Sequence, residues 1–99
     1  MDTHVISLLD VVDGTSTNLE GAKLYAALKP YLATGTLVQL SMRGASPMSS
    51  SFLNSSIGDL IDHYGITALR NSLKLIDYLP SHAGIIKKYV DDLVALQAV

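Results

Sequence analysis

The chain has 99 residues, no cysteine, and seven Lys and Arg against nine Asp and Glu, with 48% hydrophobic and only 16% charged side chains. That is one domain's worth of core; it excludes a disulfide framework, a thiolate zinc site and a cysteine nucleophile, agrees with a cytoplasmic setting, and offers no basic footprint for nucleic acid or an anionic membrane. Soluble domains average about 25% charged residues, so part of this surface is expected to be covered by a partner.

Met1-Asp2-Thr3-His4 has no positive n-region, and the apolar run that follows is broken by Ser7 and Asp10, which argues against a secretory signal. Val5–Leu9 reads as a first strand ended by the acidic stretch Asp10–Gly14. Gly14–Asn18 is turn chemistry, and Asn18 is expected to cap a helix with Glu20 in its first turn. Leu24, Leu28, Tyr31 and Leu32 fall on one helical stripe, Pro30 is expected to disturb its last turn, and Gly35 stops it. Thr36–Met42 alternates as a strand with one buried face. Arg43–Pro47 is a loop. From Ser49 the period returns to helical, with Phe52, Leu53, Ile57, Leu60, Ile61 and Tyr64 on one face and a stop at Gly65. Ile66–Leu69 is either a fourth strand or a connection. Ser72–Ile76 is a further short strand, and Pro80 opens a last helix whose apolar face carries Ile85, Ile86, Tyr89, Val90, Leu93, Val94 and Leu96. Lys87 and Lys88 stand four residues before Asp91 and Asp92 on its wet side.

The order is therefore β-α-β-α-β-α, which predicts a single α/β domain over residues 1–99, with helices packed on a small mixed, largely parallel sheet. Three helices suffice to cover one face of such a sheet.

Catalytic constellations are missing. His4, His63 and His82 lack the spacing of a helical metal site and are expected on partly exposed faces, so no metal or other cofactor is expected. Asp59 and Asp62 stand one turn apart, but with no nucleophile nearby they read as solvated helix face. No G-x-G-x-x-G, phosphate loop with its Lys, or G-x-S-x-G elbow occurs. The expectation is a non-enzymatic protein.

One segment remains: Arg43–Leu60 delivers Ser49, Ser50 and Ser51 at the start of a helix. The first N–H groups there are unpaired and carry roughly half a positive charge, so a serine caps well and a phosphate on it is stabilised. One cap accounts for one serine, less well for three. Ser51, Asn54, Ser55, Gly58 and Asp62 make a small, polar face opposite the apolar stripe, either ordinary solvated helix or a surface that another backbone can approach closely.

Leu-Val-Gln-Leu-Ser-Met, the loop, Met48-Ser-Ser-Ser-Phe-Leu-Asn and then Ile57-Gly58-Asp59-Leu60 resemble the bacterial STAS-like domain family, small proteins of mostly unassigned function. The resemblance covers roughly Gly21 to Leu93. STAS-like domains are similar in turn to the STAS domains of anti-sigma-factor antagonists, which bind a GHKL-type ATPase kinase and are switched by serine phosphorylation at this helix start. By position the resemblance implies Met48 as the apolar residue before the site and Ser49 where the antagonists usually have Asp. It implies Ser50 as phosphoacceptor and Ser51 as the serine after it, with Phe52 in place of a small Gly and directed to the core. The expected function is thus a signalling module that docks a protein partner, a GHKL-type kinase or anti-sigma-like protein, through Ser49, Ser50, Ser51, Asn54, Ser55 and Gly58. Two other readings stay open: an assembly subunit that forms a homodimer or joins a heteromeric complex, and a small-ligand or nucleotide site at the same helix start with Arg43 supplying charge.

Overall fold

Three parallel strands form the sheet in the order β1-β2-β3. The structure, a computed structural model, describes residues 4–97; the side chain of Leu96, expected on the last helix's apolar face, lies outside what it describes. The elements are β1 (His4–Ser7), α1 (Leu8–Val11), α2 (Asn18–Thr34), β2 (Val38–Ser41), α3 (Ser50–Leu53), a π-helical turn (Asn54–Gly58), α4 (Asp59–Tyr64), α5 (Ile66–Ser72), β3 (Leu73–Ile76) and α6 (Pro80–Gln97).

The register sets the two faces. Ile6, Leu40 and Leu75 stand abreast, as do His4, Val38 and Leu73. Val38 and Leu40 on this face are fully buried against a core that includes Leu24, Leu28, Phe52, Leu53, Ile57 and Leu60. Each such side chain contributes about 1.5–3 kcal/mol on leaving water. The opposite face carries Val5, Gln39 and Lys74 in register, with Val5 and Lys74 exposed. The helices thus cover one face, and β1 and β3 are both edges. Among the described residues, no helix is long and apolar enough to cross a membrane.

The departures from expectation have local causes. The first strand ends at Ser7, opposite Ser41 where β2 also ends. Beyond it Leu8 and Leu9 enter the single turn α1, which turns Leu8 and Val12 into the core, closed by Val12 N–H donating to Leu8 O at 3.0 Å. The cap of α2 is Thr17, not Asn18: its side chain accepts from Glu20 N–H at 3.2 Å, while the Glu20 carboxylate reaches back to accept from Asp13 N–H at 2.9 Å. Helix α2 runs through Pro30 to Thr34 and stops at Gly35, whose φ of 69° lies in the left-handed region. Ile66–Leu69 belongs to a helix rather than a strand, because Gly65 at φ 88° ends one helix and the chain restarts at once, burying Leu69 and Ser72 one turn apart.

The expected helix from Ser49 to Tyr64 is continuous but carries a π turn. Ser56 and Ile57 lie within it, four residues after Phe52 and Leu53 and buried with them. Ser56 Oγ donates to the Phe52 carbonyl at 2.7 Å, the back-bond that bends helices.

Candidate functional site

The start of α3 is built by its neighbours. Ser49 Oγ accepts from Phe52 N–H at 3.2 Å, so Ser49 is the cap; Phe52 is fully buried. Asp and Ser both cap well, and here the cap is a serine. The Arg43–Pro47 loop before it is clamped from two sides. On one side buried Thr15 donates its hydroxyl to the Ser46 and Pro47 carbonyls at 3.2 and 3.1 Å, and Ser49 N–H donates to Thr15 O at 2.9 Å. On the other stands His82, only 1% exposed, which corrects the expectation of a partly exposed histidine. Its Nδ1 accepts from Leu79 N–H at 3.1 Å, so its proton sits on Nε2 and is donated to the Ala45 carbonyl 2.9 Å away. His4 and His63 are exposed. Among the described residues no three metal-ligating side chains gather.

Ser50 and Ser51 are left exposed, and their first-turn amides have no intrahelical acceptor. Ser50 lies on a shallow cleft of about 220 Å³ between α3 and α6, which it lines with Met48, Leu53, Ile85, Lys88, Tyr89 and Asp92. Lys88 and Asp92, both bordering this cleft, pair with each other at 3.2 Å.

The expected small, polar face is divided among the chain's own helices. The Tyr89 hydroxyl donates to Asn54 Oδ1 at 2.7 Å and covers Gly58, where a Cβ would collide with the phenol oxygen. The Tyr89 phenol is held above its ordinary value by burial and, second, by the negative charge of Asp59. On the α2 side, Ser55 Oγ donates to Asn18 Oδ1 at 3.2 Å, and Gly21 packs directly on the Phe52 carbonyl. Ser51 and Asp62 stay exposed. Arg43 lies apart from the Ser50 cleft: it pairs with Asp77 at 3.6 Å, and Asp77, at φ 55°, is steadied by a 2.8 Å hydrogen bond from Ser41 Oγ.

Thr15, His82 and Tyr89 were not legible as site-builders. Thr15 sits in a run of turn residues in which each has the same local signature. Tyr89 looks like one more apolar residue on a helix stripe.

A family profile described as a STAS-like domain of unknown function (DUF4325) matches residues 20–82, more than half of the chain. The chain belongs to this STAS-like family. The STAS-like segment begins in the first turn of α2 and ends at His82, so it holds the serine helix start and both sides of the β2–α3 loop except Thr15. Strand β1 and nearly all of α6 lie outside the matched residues. No curated protein and no solved structure matches the chain.

Proposed function

We propose that this domain is a non-enzymatic signalling module that docks a protein partner, of the GHKL-type kinase or anti-sigma-like class, through the start of α3. Ser50 is the phosphoacceptor of the switch. STAS-like domains are regulatory modules in general, and the family match supports that coarse reading.

The observation that carries the finer reading is the division of labour among the serines. Ser49 is occupied as the cap and by Thr15, whereas Ser50 is exposed, free of the capping bond, and shares its cleft with Lys88. A phosphate on Ser50 would meet the positive end of the helix and compete with Asp92 for Lys88, while adding about two negative charges to the surface offered to the partner. Ser51, beside it and exposed, is a contact that does not depend on modification.

Affinity capture from the native host, with mass spectrometry of Ser49–Ser51 and of the proteins retained, supplies the partner. Its affinity for wild type, Ser50→Ala and Ser50→Asp then tests the switch. The expected order is wild type close to Ser50→Ala, with Ser50→Asp at least tenfold weaker. Equal affinity of Ser50→Asp would sink the switch. Unaltered binding by Ser51→Arg would sink the docking site. Self-association without a second protein would favour the assembly reading, and exposed Leu19, Tyr78 and Leu79 give that outcome apolar surface to use.

A further inference from the structure

A second cleft, unrelated to the serine site, opens between α5, the edge strand β3 and α6, with a volume of about 350 Å³. Its walls are aliphatic: Ile66, Leu69, Leu73, Leu75, Ile86 and Val90. Of these only Leu69 is buried; the other five are half-buried, packed against the edge of the core with part of their surface lining the cleft. The cause is the way α6 is fastened. His82 ties its first turn to Ala45, and Tyr89 ties its middle to Asn54, so the helix is held toward α3. The side toward α5 is left open.

Charge at the rim distinguishes this cleft from a simple packing gap. Lys87 and Asp91 both border it and neutralise each other at 2.9 Å. Arg70, also on the rim and exposed, has no carboxylate within ion-pair distance among the described residues. An aliphatic chamber with one uncompensated guanidinium complements an apolar chain ending in a single planar anion, since the guanidinium fork matches a carboxylate in geometry as well as sign. The volume falls within the ~300–1,000 Å³ of small-molecule sites, which are mostly apolar with few orienting polar groups.

We propose that the α5–β3–α6 cleft binds a free medium-chain alkyl carboxylate, with the chain against Leu73, Leu75, Ile86 and Val90 and the carboxylate on Arg70. The site is independent of the partner-docking reading and stands or falls separately from it. Its consequence is that ligand occupancy bears on how firmly α6, which also walls the Ser50 cleft, is seated.

The test is calorimetric titration of the 99-residue chain with sodium octanoate and decanoate below their micelle-forming concentrations, with decanol and decyltrimethylammonium as comparators. Decanoate is expected to bind, and each methylene removed should weaken binding by up to about fourfold. Arg70→Gln should weaken decanoate by about fivefold and leave decanol unchanged. Val90→Trp, which fills the cleft, should abolish both. Amide shifts in wild type should cluster at Leu69–Leu75 and Ile86–Val90, which keeps the proposal testable where the tryptophan variant does not fold. Absence of both heat and shifts with decanoate overturns it. So does binding of decyltrimethylammonium as tight as that of decanoate, since Arg70 would then play no part.

Discussion

Helix α2 crosses the α3–π turn at Gly21, and adding one methyl group there is a sharp test of the packing that holds the serine site. An alanine Cβ at this position falls inside contact distance of the Phe52 carbonyl oxygen, 2.9 Å from Ser55 Cβ and 3.2 Å from the Phe52 carbonyl carbon. None of these neighbours is the far end of a flexible side chain, and the Phe52 carbonyl is further fixed by the Ser56 hydroxyl at 2.7 Å. The helices must therefore separate, at the ~1–3 kcal/mol typical of overpacking. Alanine offsets part of this, since it favours a helix over glycine by about 1 kcal/mol. Gly84 isolates that offset: it lies inside α6, is exposed, and a Cβ there meets nothing within 4 Å. Gly84→Ala should accordingly stabilise by ~0.5–1 kcal/mol, and Gly21→Ala should destabilise by a net of up to ~2 kcal/mol. For a domain of this size, each kcal/mol moves Tm by roughly 4–8 °C, so the two alanine variants should melt on opposite sides of wild type. Urea unfolding followed by circular dichroism reads both. A Gly21→Ala variant as stable as Gly84→Ala would refute the close crossing.

Two further outcomes are expected. His82→Ala leaves the buried Ala45 carbonyl without its donor and opens a void, which should cost about 2–4 kcal/mol and raise amide exchange through Ala45–Ser49; a loss below about 0.5 kcal/mol in urea, small against that range, would show that the clamp is not structural. Tyr89→Phe removes the hydrogen bond to Asn54 and should cost about 0.5–1 kcal/mol near neutrality. Because the folded state raises the Tyr89 pKa above its ordinary 10, it binds that proton more tightly than the unfolded chain does. This stability is complete below pH about 10 and is lost as pH climbs through the folded value. Lys23, raised chiefly by its hydrogen bond to Glu20, gives an alkaline loss of the same sign, so the readout is the difference between wild type and Tyr89→Phe, which should shrink as pH rises above 10.

The class of fold was legible because periodicity switches cleanly between two and 3.6 along the chain, and the parallel sheet follows from alternation of strands and helices. Boundaries were less so. Leu8 and Leu9 continue an aliphatic run, yet what ends β1 is the end of its partner strand at Ser41, a tertiary fact. Ile66–Leu69 is too short and too evenly apolar to choose between helix and strand by pattern alone. At the site, the serine run marked the helix start, and Ser49 capping follows from its position before Phe52. The contacts of Thr15 with Ser46 and Pro47, and of His82 with Ala45, span more than thirty residues, and nothing local encodes them.

Those long-range contacts bear on how a partner can engage the helix. Two of the small residues that suggested close approach are already approached: Gly58 by Tyr89, and Ser55 by Gly21 and Asn18 across the α2 crossing. A partner packing on Gly58 or bonding Asn54 Oδ1 must first displace the Tyr89 phenol, breaking the 2.7 Å bond. A partner reading Ser50 and Ser51 meets no such barrier, and it meets a rigid target, since Thr15 and His82 fix the preceding loop before binding begins. Preorganisation of this kind lowers the ordering cost of association. The two modes differ in one observable. Tyr89→Phe, which loosens α6 and takes only a hydroxyl from the cleft Ser50 shares, should change affinity little for a partner on Ser50–Ser51 and should raise it for one that also occupies Asn54 and Gly58.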